Sequence, residues 1–153
     1  MVFEFKIIEA QEKDIEEILN LQYVAYQSEA IIYNNFSIQP LTQTMEKAIE
    51  EFHNSVILIA VMNGKIIGSV RAFEKQGTAY IGKLMVLPAY QNRGMGKRLL
   101  QAIESEFKGN RFELFTGEKS EKNLSLYAKS GYTQFKTEEA VSGLSLIYLE
   151  KPA

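Results

Sequence analysis

The sequence predicts an α/β domain in which one mixed sheet carries helices on both faces. Two hairpin signals, Asn63-Gly64 and Lys75-Gln76-Gly77, separate three apolar segments in the middle of the chain, which indicates three consecutive antiparallel strands. After Pro88 the apolar spacing changes from a period of two to a period of about 3.6 residues, which indicates a helix. Helices are also predicted before the three strands, and further short strands after them.

The other predicted elements follow from apolar spacing and turn residues. Apolar residues alternate with polar ones at Phe3, Phe5 and Ile7, which is typical of a half-buried strand. Helical spacing follows from about residue 13 to residue 26, with acidic residues at the start, where they favour the helix dipole. Residues 29–41 contain helix-breaking residues and predict a loop or short helical turns.

A second helix is predicted to be capped by Thr42 or Thr44. Its apolar residues recur at helical spacing, at Met45, Ala48, Ile49 and Phe52. The remaining elements are strands at about residues 56–62, 65–74, 78–87, 112–116, 132–137 and 144–150, and helices that follow Pro88 and begin near Glu121. The sequence has no internal repeat, so residues 1–153 are interpreted as one domain.

Composition excludes several classes of function. The chain has no cysteine and one histidine, His53, so thiolate zinc sites, iron–sulfur clusters, a cysteine nucleophile and a multi-histidine metal site are excluded, and no metal is expected. A net charge of -2 gives no basic stripe for nucleic acid. No segment has the length of a membrane span and the N-terminus does not resemble a signal peptide, so we expect a cytoplasmic protein.

The segment from Val86 to Leu100 predicts a phosphate site. A strand runs through a short loop into an amphipathic helix, with Gly94 and Gly96 at the junction. The unpaired amides and the dipole of a helix N-terminus favour an anion by roughly 0.3 to 1 kcal/mol, or up to about 2 kcal/mol when partly buried. Arg93 and Lys97 add positive charge at this end.

Two other phosphate loops fit this segment poorly. A Walker loop needs a glycine where Gln91 stands and a serine or threonine where Arg98 stands. A dinucleotide fingerprint needs a third glycine where Leu99 stands.

The same segment resembles the GNAT superfamily of acyl-CoA-dependent N-acetyltransferases. That family's central signature, Gln/Arg-x-x-Gly-x-Gly/Ala at a strand-to-helix junction, is matched by Gln91-Asn92-Arg93-Gly94-Met95-Gly96. A later segment, Asn123-Leu124-Ser125-Leu126-Tyr127-Ala128-Lys129-Ser130-Gly131-Tyr132, resembles the family's Asn-x-x-x-Tyr-x-x-x-Gly-Phe/Tyr motif. The resemblance covers most of the chain and implies a GNAT-like fold with a central, mostly antiparallel sheet.

The resemblance also implies a site for acetyl-CoA. The backbone amides of about Gln91 to Gly96 would hold its pyrophosphate, and Asn123 would help to place it. A bulged strand near Met85 and Val86 would offer an amide to the thioester carbonyl, where a fixed donor is worth about 2.7 to 4 kcal/mol. Tyr127 would protonate the departing thiolate; from reference pKa values, full transfer is uphill by roughly 2 kcal/mol.

The general base and the acceptor pocket are less sharply predicted. An alkylammonium acceptor must lose a proton, and the candidates to take it, directly or through water, are Glu74, Glu113, Glu29 and Tyr80, with Glu74 as the working choice. The register of each strand decides which of them faces the acceptor. Four aromatic residues either line the acceptor pocket or belong to the core: Tyr23, Tyr26, Tyr33 and Phe36.

The predicted function is acetyl transfer from acetyl-CoA to a primary amine of a small molecule, by direct attack in a ternary complex. Two alternatives stay open: acetylation of a protein N-terminus or lysine, and a non-catalytic acyl-CoA-binding module. The expected partners are acetyl-CoA and the amine. A homodimer is common among related folds.

Overall fold

The structure, a computed structural model, describes residues 4–141 and 143–153. Phe3, the first residue of the predicted N-terminal strand, lies outside these residues. The strands are β1 (Lys6–Glu9), β2 (Val56–Met62), β3 (Lys65–Lys75), β4 (Thr78–Val86), β5 (Arg111–Gly117), β6 (Thr133–Val141) and β7 (Leu144–Lys151). The helices are α1 (Ile15–Ala25), α2 (Gln27–Tyr33), α3 (Gln39–Thr42), α4 (Met45–His53), α5 (Met95–Glu106) and α6 (Glu121–Lys129).

The described strands form one mixed sheet in the order β1-β2-β3-β4-β5-β7-β6. Its neighbouring strands run antiparallel except for β4 and β5, which run parallel because α5 connects them. The predicted α/β class with a mostly antiparallel sheet is confirmed.

Helices cover both faces of the sheet, as alternate residues of β2 demonstrate. Leu58 shares an apolar cluster with Leu99 of α5 and Tyr127 of α6. Its neighbour Ile57 belongs to a separate cluster with Ile18 of α1. Because successive residues of a strand point to opposite faces, α1 lies on one side of the sheet and both α5 and α6 lie on the other. The helix α4 packs on α1.

The segment predicted as a loop or short turns, residues 29–41, overlaps two short helices. The first, α2, ends where Asn34 takes a left-handed conformation with φ of 48°. The second, α3, carries Pro40 in its first turn, where a proline costs no intrahelical hydrogen bond. Of the two predicted caps, Thr44 is the one that precedes α4, and its hydroxyl accepts from the amide of Lys47 at 3.2 Å.

Candidate active site

The two parallel strands, β4 and β5, separate soon after they begin. They pair only where Thr78–Tyr80 meet Arg111–Glu113. Beyond these residues β5 pairs with β7 on its other side, while β4 continues to Val86 with β3 as its neighbour. The end of β4 therefore has an unpaired edge that faces an opening in the sheet.

A β-bulge lies in β4 at Lys83 and Leu84. Arg71 of β3 pairs with Gly82 and Ser69 pairs with Met85, so β4 has one residue more than β3 between the same two pairs. At the bulge, the backbone of Lys83 adopts a left-handed conformation with φ of 48°. The bulge predicted near Met85 and Val86 is present and lies directly before Met85, which has returned to regular pairing with Ser69.

The backbone amide of Val86 is directed into the opening. The next residue, Leu87, donates its amide to the carbonyl of Ile67 on β3 at 2.9 Å. In an antiparallel ladder the backbone groups of adjacent residues point to opposite sides, so those of Val86 point away from β3. The Val86 carbonyl accepts from Nε2 of Gln91 at 3.0 Å, on the side that β5 has left. Met85 instead points its backbone groups at β3 and buries its side chain.

The N-terminus of α5 follows the same strand. Its N-cap residue, Gly94, has φ of 80°, a conformation that favours glycine, and no side chain of the described residues caps the helix. The first helical hydrogen bond runs from the amide of Arg98 to the carbonyl of Gly94 at 3.2 Å. The amides of Met95, Gly96 and Lys97 precede that bond, so the helix itself does not satisfy them.

The side chains around this N-terminus differ in exposure. Asn92, Arg93 and Lys97 are exposed to solvent, whereas Met95 is packed into the core with 1% exposure. Met95 can therefore contact a ligand only through its backbone. Asn92 has φ of 64°, which turns the loop toward the helix.

Tyr127 projects from α6 into a cavity of about 960 Å³ that adjoins the opening. Burial raises the pKa of its hydroxyl well above the ordinary value, and the nearby Tyr26 and Glu29 raise it further. Tyr127 is therefore protonated at physiological pH. The same shift increases the free-energy cost of transferring its proton completely to a thiolate.

Asn123 lines the cavity one helical turn before Tyr127. Its Nδ2 donates to Oγ1 of Thr116 at 3.2 Å, which joins α6 to the end of β5.

Three of the four candidate bases line the cavity: Glu29, Tyr80 and Glu113. Glu74 is not among the lining residues, which corrects the working choice. On β3, Glu74 is adjacent to Phe73, whose ring stacks on the ring of Tyr80, so Glu74 projects from the face of the strand opposite to Phe73. Its carboxylate accepts instead from the amide of Gly77 in the hairpin turn at 3.2 Å.

The helix α2 is tied to the loop between β5 and α6. The Tyr33 hydroxyl accepts from the amide of Lys119 at 2.8 Å, and Oγ of Ser120 donates to Glu29 at 2.6 Å. Gly117 permits this contact, because a Cβ at this position would lie 2.7 Å from Cζ of Tyr33. Two of the four predicted pocket aromatics, Tyr26 and Tyr33, line the cavity.

The other two predicted pocket aromatics lie elsewhere. Tyr23 donates its hydroxyl hydrogen bond to the carbonyl of Gln43, and Phe36 is 55% exposed. Burial raises the pKa of Tyr26 to about 12, although the positive charge of Arg71 partly opposes this.

A polar cluster that the sequence analysis missed consists of Gln43, Glu51, Arg71 and Lys83. Oε1 of Glu51 accepts from Nη1 of Arg71 at 2.8 Å and from Nζ of Lys83 at 2.9 Å. Lys83 also donates to Oε1 of Gln43 at 2.9 Å. Three of these residues come from α4, β3 and β4, and Gln43 lies between α3 and α4. They form no sequence motif, so only the distribution of charges on unrelated segments could have suggested them.

Charge balance in the polar cluster shifts two pKa values. Burial acts to raise the pKa of Glu51, but the charge of Arg71 and hydrogen bonds from Gln43 and Lys83 outweigh it and lower this pKa. Burial lowers the pKa of Lys83 despite the neighbouring carboxylate of Glu51. Glu51 therefore remains ionised, which makes it a structural partner of two cations rather than a base.

The chain belongs to the GNAT acetyltransferase family. A family model described as an acetyltransferase (GNAT) domain matches residues 12–152. A curated relative, the UPF0157 protein YqkA of Bacillus subtilis strain 168, is 31% identical over 131 residues, which are 85% of this chain and 38% of that protein. This chain thus corresponds to well under half the length of that relative.

Solved structures share the same fold. PaiA N-acetyltransferase from Thermoplasma acidophilum, in complex with coenzyme A, superposes with a TM-score of 0.81 at 18% identity, over 99% of this chain and 100% of that one. YncA from Salmonella typhimurium, with its cofactor acetyl-CoA, superposes with a TM-score of 0.78 at 15% identity, over 98% of this chain and 94% of that one.

Within residues 4–141 and 143–153, no three His, Asp or Glu side chains are grouped so as to hold a metal ion. None of the helices described above has the length and apolar character needed to cross a membrane.

Proposed function

We propose that this protein transfers the acetyl group of acetyl-CoA to a primary amine of a small molecule, by direct attack in a ternary complex. The observation that carries the proposal is the separation of β4 and β5 after Tyr80, which leaves the Val86 edge of β4 unpaired. Gln91 links that edge to the loop before α5 through its hydrogen bond to Val86. A donor for a carbonyl and a site for a phosphate therefore adjoin one opening.

The residues around this opening fit acetyl-CoA. Backbone amides of the segment from Gln91 to Lys97 bind the pyrophosphate, where the helix dipole and the exposed Arg93 and Lys97 favour its charge. The Val86 amide donates to the thioester carbonyl, and Asn123 positions the cofactor near α6. The complexes of PaiA with coenzyme A and of YncA with acetyl-CoA support this assignment by analogy of fold.

The reaction requires two proton transfers. The amine nitrogen attacks the thioester carbonyl carbon, and the oxygen gains negative charge that the Val86 amide stabilises by about 2.7 to 4 kcal/mol. When the carbon–sulfur bond breaks, Tyr127 donates to the thiolate. A base, which is Glu113, Glu29 or Tyr80 acting directly or through water, accepts the proton from nitrogen.

The contacts of α2 support a small acceptor rather than a protein. Tyr33 and Glu29 bind the loop before α6, so α2 forms a wall on the acceptor side of the cavity. A cavity of about 960 Å³ has the size of small-molecule sites. The absence of cysteine is compatible with the reducing cytoplasm, where we propose that the protein acts.

Thermal unfolding with acetyl-CoA, CoA and NAD tests the cofactor assignment. Ligand at about 100 times its dissociation constant stabilises the fold by about 2.7 kcal/mol, which raises Tm by about 5 to 11 °C for a domain of this size. We expect this rise with acetyl-CoA and CoA and none with NAD. Amines are then screened by release of the free CoA thiol. No rise at saturating acetyl-CoA would refute the proposal.

A further inference from the structure

We propose that the acceptor amine also carries a carboxylate, and that Arg71 binds it. This inference names the acceptor class and therefore rests on the proposed acetyl transfer. It concerns the polar cluster, which the reaction described above does not use.

Arg71 has unused hydrogen-bonding capacity at a buried position. Its side chain is 5% exposed and borders the cavity. Nη1 donates to Glu51, but Nε and Nη2 are buried and have no partner among the described residues. These two nitrogens form one edge of the guanidinium, and their parallel N–H groups match the two oxygens of a carboxylate. Buried polar groups without partners are rare in folded proteins, which points to a ligand at this edge.

The charge of the polar cluster also favours an anion. Arg71 and Lys83 share the single carboxylate of Glu51, so one positive charge remains on this wall of the cavity. Of the other carboxylates that line the cavity, Glu113 pairs with the cation Arg111 at 2.9 Å, whereas Glu29 accepts from the hydroxyl of Ser120, which brings no positive charge. Neither carboxylate bonds to Nε or Nη2 of Arg71.

Arg71 is placed where an acceptor must lie. It pairs with Gly82, directly before the bulge of β4 at Lys83. The same strand then presents the Val86 amide, the proposed donor to the thioester carbonyl. A carboxylate on Arg71 therefore anchors an amine on the wall that holds the reacting carbonyl. An amine without a carboxylate leaves the guanidinium edge unpaired, which penalises its binding.

Acceptor pairs that differ only in the carboxylate test this inference. Suitable pairs are leucine with isopentylamine, lysine with cadaverine, and ε-aminocaproate with n-pentylamine, because they vary the distance between amine and carboxylate. We expect kcat/KM for the best carboxylated acceptor to exceed that of its partner at least about 100-fold. Ratios within about tenfold for all pairs would overturn the inference and leave acetyl transfer intact. Failure to bind acetyl-CoA would instead refute the proposed function and this inference with it.

Binding of the acetylated product gives a readout that does not depend on turnover. With CoA bound, N-acetylleucine is expected to bind measurably by calorimetry, and N-acetylisopentylamine at least about tenfold more weakly. Equal affinities, or no binding of any acetylated amino acid in a matching series of products, would overturn the inference.

Variants assign the effect to Arg71. Arg71→Lys keeps the charge but loses the paired N–H groups, and we expect it to reduce the preference for the carboxylated acceptor at least tenfold with an unchanged KM for acetyl-CoA. If the single variants fold poorly, the double variant Arg71→Met with Glu51→Gln is used instead, because it preserves the local charge balance. It should also lose the preference for the carboxylated acceptor. Lys47→Met removes a positive charge from the exposed side of α4, outside the cavity lining, and is the matched control. An unchanged preference in folded Arg71 variants would overturn the assignment.

Discussion

Tyr80 of β4 and Glu113 of β5 form the last pair between these two strands, and the strands separate beyond them. The unpaired part of β4 then contains the bulge at Lys83 and the outward-facing amide of Val86. Parallel strands that stayed paired would use this amide within the sheet. The early end of the pairing is therefore what makes room for a ligand to approach β4 from the side.

Tyr127→Phe tests the proton donor. The change removes the hydroxyl and keeps the ring in the core, so we expect kcat to fall by about 10²- to 10⁴-fold with little change in acetyl-CoA affinity. Steady-state kinetics and calorimetry measure the two effects. Tyr132→Phe is the matched control, because the Tyr132 hydroxyl bonds to Glu104 at 2.7 Å and does not border the cavity. A normal rate in Tyr127→Phe would remove this residue from the mechanism.

Gly94→Val tests the phosphate site. Gly94 has φ of 80°, so a β-branched residue would change the conformation of the loop that precedes the α5 amides. We expect acetyl-CoA affinity, measured by calorimetry, to fall at least tenfold. Gly64→Val introduces the same side chain at φ of 78° in the β2–β3 turn, with nothing within 4 Å, and should leave affinity unchanged. Equal affinities for both variants would place the phosphate elsewhere.

Glu113→Gln and Glu74→Gln separate the candidate bases. Glu113 lines the cavity, whereas Glu74 projects from the other face of β3. If Glu113 accepts the amine proton, its amide replacement should lower kcat/KM by about 10²-fold and Glu74→Gln should leave it unchanged. The dependence of kcat/KM on pH is measured for the same two variants. Loss of activity in Glu74→Gln alone would reverse this assignment.

Glu51 makes stability depend on pH. Although burial opposes it, the neighbouring cations hold the pKa of Glu51 below its ordinary value of 4.5, so this carboxylate stabilises the folded state above that pH and the contribution disappears as the pH falls below it. We expect Glu51→Gln to lower the free energy of unfolding by about 1 to 3 kcal/mol near neutral pH, with a smaller difference at lower pH. Denaturant titrations at several pH values measure this. A difference that grows toward acid would contradict the assignment.

Gly117→Ala tests the wall formed by α2. The added Cβ would collide with the Tyr33 ring, so α2 must move from the β5–α6 loop. We expect KM for the amine to rise and acetyl-CoA affinity to change little. Adding Tyr33→Ala removes the collision. Because Gly117→Ala has already broken the Tyr33 contacts, we expect KM for the amine to be little higher in the double variant than in Gly117→Ala alone. Strictly additive effects would show that the two residues act independently.

The sequence predicted those elements that local physical chemistry determines. Asn63-Gly64 specifies a tight turn whatever surrounds it, and the change of apolar period after Pro88 marks the start of a helical region. The strand-to-helix junction that is proposed to bind phosphate was predictable for the same reason, because a glycine at the start of α5 and the amides of its first turn are consecutive in the chain. Residues 29–41 were less predictable, since short helices depend on packing more than on their own sequence.

The sequence by itself thus determined the mixed sheet, the glycine-capped start of α5 that is proposed to bind phosphate, and the candidate residues of the two motifs. Tertiary structure decided which face of β3 carries Glu74, where in β4 the extra residue lies, and that Arg71 and Lys83 share Glu51. A shift of one residue in register turns every side chain of a strand to the other face. The face on which a given side chain lies therefore depends on pairing between distant segments. The polar cluster likewise forms only when separate elements pack together, because its charges have no fixed spacing along the chain.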